Sequence, residues 1–551
     1  MAKTQGKSII ERLSASPEKA IITVLVLSFF YYLGLDKVHL FDWDEINFAE
    51  CAREMIVTGN YFRVQIDYIP FWEKTPLFFW LQVIAMKIFG VGEFAARLPN
   101  AVFGTLTLLT LYLIGKKHFS SRFGLLWAFI YFGSLLPHLY FKSGIIDPVF
   151  NFFIFLSVYF VLRAFSNPKN ASQLATLGGL ASGVAVLTKG PVGFLLLALT
   201  VAVYAVVTRF KILPKFKHIL SFTLSFLVVS AAWFGFDMSQ NGTVVFERFI
   251  QYQIELFTQP VAGHEQPFYY HLVVVLIGCF PLSVLAIASF WQKEKLENDF
   301  SLWMKCLFWV VIILFSIVTT KIAHYSSMTY LPLSFLAARV VLNYKGSSTV
   351  LKRLILVLFI IIGSVLALVV ALLPWVFMNL DMIIPLMNDP FAVAGMEVPV
   401  QWSGFELTSG IPLLLGVAFG IYFLAKAKAE DAVLSTGAGM AFSLLLTLFM
   451  VLPKIEKHTQ GSAIEFYESL QGEDVYVSTY RFKSYAHYFY TEMPDWPNEE
   501  RRNMEWLLNG PIDKPVYLVS KITRKDLAEH PNFTLIESKG GFDFYKREVP
   551  E

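Results

Sequence analysis

The chain has 551 residues, of which 56% are hydrophobic and 16% charged, with a mean hydropathy of +0.55. A soluble chain of this size carries about 25% charged residues, so this composition excludes an ordinary soluble globular protein. The formal net charge of +3 is small and there is no basic arm or RNA-binding motif, which argues against a nucleic-acid partner; Cys51, Cys279 and Cys306 lie too far apart for a zinc ribbon or a disulfide framework.

In chain order, a polar, basic N-terminal stretch is too long for a standard signal peptide, and the apolar run after it has no cleavage site, so it is predicted to stay as a first span. Apolar runs then fall at about 20–36, 95–115, 122–141, 148–165, 171–188, 190–208, 218–238, 267–290, 302–320, 327–343, 352–374, 411–427 and 432–452. Each approaches the roughly 20 residues that cross a hydrocarbon core, which predicts an all-α polytopic membrane protein of about thirteen transmembrane helices. The stretch 76–90 is short, starts at Pro76 and carries Lys87, so it reads as an interfacial helix. With 76–90 left out, Lys116, Lys117, Arg122, Arg163, Lys169, Arg209, Lys211, Lys215, Lys217, Lys293, Lys295, Lys345, Lys352, Arg353, Lys426 and Lys428 all fall in loops on the N-terminal side. That bias predicts a cytoplasmic N-terminus. An odd number of spans then sends residues 453–551 outside, where "DVYVSTY" and "KPVYLVS" read as strands, "AIEFYESL", "RRNMEWLL" and "TRKDLAEH" as helices, and "FTLIESKGGFDFYKR" as a hairpin turning at Gly540-Gly541. The predicted division is a catalytic membrane domain at 1–452, with outer-face juxtamembrane helices at about 42–92, and a small extracytoplasmic α/β domain at 453–551.

This topology collects the unusual polar residues at one membrane depth. Asp42, Asp44, Glu45, Arg53, Glu73 and Lys74 occupy the first outer loop, Asp147 the second, Lys189 the third, His264 the fourth, and Lys321, His324 and Tyr325 the fifth. Singly, each has an ordinary reading. Asp44 and Glu45 suit a helix start, Asp147 before Pro148 suits an N-cap, Lys189 could snorkel, Lys321 and Tyr325 could anchor at the interface, His264 could be a surface histidine, and Arg53 could pair with a nearby acid. Together, acids and lysines meeting on one face across several loops point to a site. Carboxylates supply a base or steady a developing cation, and lysines hold a departing phosphate.

"DWDEINFAECAREM" followed by "FWEKTPLFFWLQVIAMKIFGVGEFAARLPNAVFG" resembles the first-loop signature of the GT-C membrane glycosyltransferases, in particular the bacterial lipid A aminoarabinose transferases and the dolichyl-phosphate-mannose protein mannosyltransferase-like proteins. "GIIDPVFNFF", "LTKGPVGFLL" and "KIAHYSSMTYLPLSFLAA" resemble later motifs of that family, in order, so the likeness covers about residues 20–345. The resemblance implies a GT-C fold and an inverting glycosyltransferase of the bacterial inner membrane. Its donor would be a polyprenyl-phosphate sugar of the undecaprenyl type, with no nucleotide cofactor. Its acceptor would be lipid A or another lipid, glycan or protein on the extracytoplasmic side. The resemblance casts Asp44, Glu45 and Asp147 as catalytic. It casts Lys74 as a donor ligand, and Lys189, Lys321, Tyr325 and Arg53 are expected to join it around the donor phosphate or sugar. Some members hold a divalent metal (zinc, magnesium or manganese), which would map onto Glu73 and His264. A protein O-mannosyltransferase-like enzyme is an alternative, although nothing here resembles that group's β-trefoil domain. A lipid-linked sugar transporter or flippase is another, although transporters place ionisable groups near the midplane.

Overall fold

The computed structural model describes residues 8–211, 214–258, 266–291 and 299–550. Each of the thirteen apolar runs contains helix, and the architecture is the expected polytopic α bundle. Among the described residues, eight helices are long and apolar enough to cross a membrane alone. A ninth forms if Tyr270–Gly278 and Leu282–Trp291, which meet at 117°, count as one. The departure from thirteen comes from chain breaks inside four other runs or at their ends. Gly133-Ser134 splits 122–141 into Ser121–Phe132 and Leu135–Tyr140. Pro17–Phe29, Val192–Val207 and Tyr330–Leu342 span 13, 16 and 13 residues. At 1.5 Å per residue such helices cover about 20–24 Å, less than the roughly 30 Å of a hydrocarbon core.

Lipid-facing and packed surfaces are clearly separated. Thr349–Met378 leaves Ile361, Val365, Leu368, Val369 and Leu372 exposed, which suits a helix bathed in hydrocarbon. Elsewhere the helices approach closely. A Cβ on Gly115 would lie 2.5 Å from the Gly124 Cα, so Glu93–His118 and Ser121–Phe132 touch backbone to backbone, as small residues permit in a bilayer.

The chain direction sorts charge to the two ends of the bundle. Asp147 opens the helix Asp147–Ser166 and Arg163 lies in its last turn; Ala171–Lys189 follows Lys169 and closes on Lys189. One end therefore carries dispersed lysines and arginines, and the other carries the acids and Lys189. Lys293 and Lys295 lie outside the described residues.

The site end also bears the first-loop helix Asp44–Thr58, a two-stranded ribbon of β1 (Gln65–Ile66) and β2 (Ile69–Pro70), and the helix Leu77–Phe89 where an interfacial helix is expected. Four further strands, β3 (Tyr476–Tyr480), β4 (Val516–Lys521), β5 (Thr534–Lys539) and β6 (Phe542–Arg547), form one sheet in the order β3-β4-β6-β5, parallel only between β3 and β4. The β5–β6 turn falls at Gly540 and Gly541, whose φ of +60° and +85° suit a two-glycine hairpin. "TRKDLAEH" is a series of turns instead of a helix: it is short and polar, and its Leu527 is buried in the sheet domain's own core.

This sheet domain is fastened to the first loop. Asp67 pairs with Arg501 and Arg502, and Tyr68 Oη and Arg53 Nη2 both donate to the Met493 carbonyl, at 2.6 and 2.7 Å. Leu40 N donates to Tyr490 Oη, which donates onward to Glu93 Oε1.

Candidate active site

Two connected cavities lie at the site end. The more polar one, about 570 Å³, is lined by Trp43, Asp44, Glu73, Lys74, Asp147, Lys189, Tyr252, His324 and Tyr325, among others. The other, about 680 Å³, shares Glu73, Lys74, Asp147, Lys189 and Tyr325, then runs on between apolar walls that include Phe150, Leu196, Phe315 and Met328. A polar pocket thus opens into a greasy slot.

Each charged group reaches the pocket from an element end. Asp44 and Asp147 are the first residues of their helices, and neither side chain caps its own backbone, so both carboxylates are free to face the cavity. Lys189 is the last helical residue before Gly190, whose φ of +113° lets the chain reverse into Val192–Val207. The Lys189 ammonium bonds Asp147 Oδ1 at 2.7 Å and lies 4.9 Å from the centre of the Tyr325 ring. His324 stands between the acids, its Nε2 3.7 Å from Asp44 Oδ2 and 3.8 Å from Asp147 Oδ2. Burial pushes its imidazole below the ordinary range; Lys189 and Lys74 act in the same direction, and Asp147 and Asp44 oppose them. At neutral pH it is therefore an uncharged spacer between two carboxylates.

Lys74 sits across the pocket, 3.6 Å from Glu73 Oε2 and 5.3 Å from the centre of the Tyr252 ring. Tyr252 Oη donates to the same Glu73 oxygen at 2.8 Å, so that oxygen is shared between the phenol and the more distant lysine. Tyr252→Phe keeps the ring but frees Glu73 to close on the ammonium. An anionic ligand held by Lys74 is then expected to bind about fivefold more weakly, the effect of one ordinary hydrogen bond. Titrating inorganic phosphate into wild type and variant checks this, and equal affinities would refute it.

Of the residues given a role from the sequence, Asp44, Asp147, Lys74, Glu73, Lys189 and Tyr325 come together here. Among the described residues, three others given a role do not. Glu45 is 3% exposed and turned away: it accepts from Arg97 Nε and Nη2 at 3.0 and 2.8 Å, from Phe41 N at 3.0 Å, and from Gly144 N. One helical step of about 100° separates it from Asp44, and the buried guanidinium claims it. Arg53 takes the ordinary reading, a buried two-point pair with Glu50 at 2.7 and 2.6 Å, and it holds the sheet domain in place of a phosphate. Lys321 is buried and bonds the Val318 carbonyl at 2.8 Å without lining either cavity.

The expected metal ligands do not make a cage among the described residues. Glu73 is engaged by Tyr252 and Lys74, no group of three histidine, cysteine or acidic side chains is suited to a metal, and His264 lies outside the described residues. His324 and Tyr252 are part of the site although neither was assigned a role from the sequence. His324 had a signal in "KIAHYSS", next to Tyr325; Tyr252 sits in an amphipathic helix, Val244–Thr258, with nothing to distinguish it from packing.

Residues 73–234 match the family model described as dolichyl-phosphate-mannose-protein mannosyltransferase. The undecaprenyl phosphate-alpha-4-amino-4-deoxy-L-arabinose arabinosyl transferase of Erwinia tasmaniensis is 29% identical over 65% of this chain, and that of Pectobacterium atrosepticum is 27% identical over 73%. The matched stretch spans 66% of the Erwinia protein and 60% of a second such transferase from Proteus mirabilis. In fold, the chain is similar to ArnT from Cupriavidus metallidurans bound to undecaprenyl phosphate, with a TM-score of 0.73 at 18% identity over 96% of this chain and 98% of that one; its apo state gives 0.75. The resemblance drawn from the loop motifs and the expected GT-C fold are both borne out.

Proposed function

We propose that this chain is an inverting membrane glycosyltransferase. It would move 4-amino-4-deoxyarabinose, or a related sugar, from undecaprenyl phosphate to an acceptor on the extracytoplasmic side, with lipid A the acceptor to test first. The observation that carries the reading is the convergence of Asp44, Asp147, Lys74 and Lys189 on one pocket that continues into an apolar slot. A polyprenyl chain suits the slot, and its phosphate meets the lysines where water is scarce and charge interactions are strong. The basic residues at the opposite end of the bundle support a cytoplasmic N-terminus, which puts the pocket and the sheet domain outside the bacterial inner membrane.

In the reaction, an acceptor oxygen attacks the sugar's C1 on the face opposite the donor phosphate. The C1–O bond breaks and its electron pair leaves with undecaprenyl phosphate, which goes from one negative charge to about two. Lys74 and Lys189 receive that gain. Asp147 orients Lys189. Asp44 takes the proton of a hydroxyl acceptor; for a phosphate acceptor no base is needed, and Asp44 holds the donor sugar's amino group instead. The family match over 73–234 favours transfer to protein as a second reading.

The test is turnover by the purified full chain in nanodiscs, supplied with undecaprenyl-phosphate aminoarabinose and lipid A. Product is expected, and Asp44→Asn is expected to lower kcat/KM by about 10²-fold. Full activity in that variant would remove Asp44 from the chemistry. Absence of transfer to lipid A, alongside transfer to a protein acceptor from a mannosyl donor, would replace this reading with the second.

A further inference from the structure

The rim of the polar cavity is shared between the two parts of the chain. Trp43, immediately before Asp44, lines the cavity yet keeps 38% of its surface exposed. The segment that follows β3 arrives over it. Tyr485 packs edge-on against the Trp43 indole, with centroids 5.1 Å apart, and its backbone N–H donates to Asp42 Oδ1 at 3.4 Å. The Lys483 ammonium then lies 4.6 Å from the Trp43 ring centre and 5.4 Å from that of Tyr485.

Lys483 is exposed, and among the described residues no carboxylate pairs with it. Its position differs from that of the other domain cations near the first loop: Arg501 and Arg502 both pair with Asp67. The ammonium itself rests between two aromatic rings, one of which, Trp43, lines the pocket, so the charge stands beside the pocket edge. The site therefore has cations at two levels. Lys74 and Lys189 are deep, beside the slot, and Lys483 is at the rim, on the sheet domain.

We infer that Trp43, Tyr485 and Lys483 form an acceptor subsite, in which Lys483 binds an anionic phosphate of a phosphorylated glycolipid while the lipid's reacting group reaches down to Asp44. This rests on the proposed function. For a diglucosamine lipid with a phosphate at each end, one phosphate or hydroxyl reacts at depth and the remote phosphate meets Lys483, with a sugar ring against the exposed indole. The sheet domain then sets acceptor choice, and the donor is handled without it.

The experiment is a two-by-two comparison on the full chain in nanodiscs. Wild type and Lys483→Glu are each given bisphosphorylated lipid A and the same lipid A stripped of one phosphate. In wild type, loss of the remote phosphate is expected to raise the acceptor KM about tenfold, roughly one charge-assisted hydrogen bond. Lys483→Glu raises the KM for the bisphosphorylated lipid to a similar extent or more, and it no longer tells the two lipids apart. Lys483→Arg retains the discrimination, and undecaprenyl phosphate binding is unchanged throughout. If Lys483→Glu still prefers the bisphosphorylated lipid as strongly as wild type does, the subsite is overturned while the transferase reading stands. If wild type moves no sugar to either lipid, the acceptor reading and the subsite fall together.

Discussion

Lys189→Met is expected to lower kcat/KM by about 10²- to 10³-fold, the range seen when one preorganised stabiliser of a developing anion is removed. The variant keeps an unbranched stem of similar bulk but loses the ammonium, which sits 2.7 Å from Asp147 Oδ1 and faces the rings of Phe150 and Tyr325. In the proposed reaction the donor is a phosphodiester with one negative charge and the leaving group a monoester with nearly two, so the lysine gains most as the bond breaks. The loss should fall on kcat more than on donor affinity. Steady-state rates at saturating donor, set beside a binding isotherm for undecaprenyl phosphate, separate the two. A variant whose kcat stays within threefold of wild type would remove Lys189 from phosphate stabilisation.

The second large effect is structural. Glu45→Ala strands the Arg97 guanidinium, which is 3% exposed and also donates to the carbonyls of Leu35, Val38 and His39. Breaking a buried pair from one side costs about 3–5 kcal/mol. The pair ties the first loop to Glu93–His118 and, through Gly144, to the approach to Asp147. Thermal unfolding in detergent should therefore shift strongly downward, and the double variant Glu45→Ala with Arg97→Ala should cost less than the sum of the two singles. Burial alone would raise the Glu45 carboxyl, but Arg97 and the two backbone donors hold it below its ordinary range. Its contribution is thus present above the usual carboxylate pKa and is lost as the pH falls through the lowered folded value. A catalytic Glu45 would instead give an inactive protein of unchanged stability.

These two residues show what the sequence could and could not carry. Lys189 was legible because a lysine between two apolar runs, followed by Gly190-Pro191, is costly in a bilayer and wants a reason. Glu45 was not: it adjoins Asp44 in sequence, and what separates them is the side of a helix each occupies and a partner, Arg97, 52 positions on. Arg53 was half legible, since Glu50 three residues earlier is the spacing of a helical ion pair. The Asp147–Lys189 contact joins a helix start to a helix end 42 residues apart, which depends on how two helices pair and not on either motif. The bundle itself followed from apolar runs, but the number of full crossings depended on where single residues such as Ser134 interrupt a helix.

The fastening of the first loop to the sheet domain has a practical consequence. Asp67, Tyr68 and Arg53 each direct polar groups to residues between 493 and 502, so the helical bundle and the sheet domain are not independent modules. Scanning calorimetry should record a single endotherm in place of two, and a version truncated after Leu452 should not serve as a minimal enzyme, because it would lose the wall against which the Asp44 helix is braced.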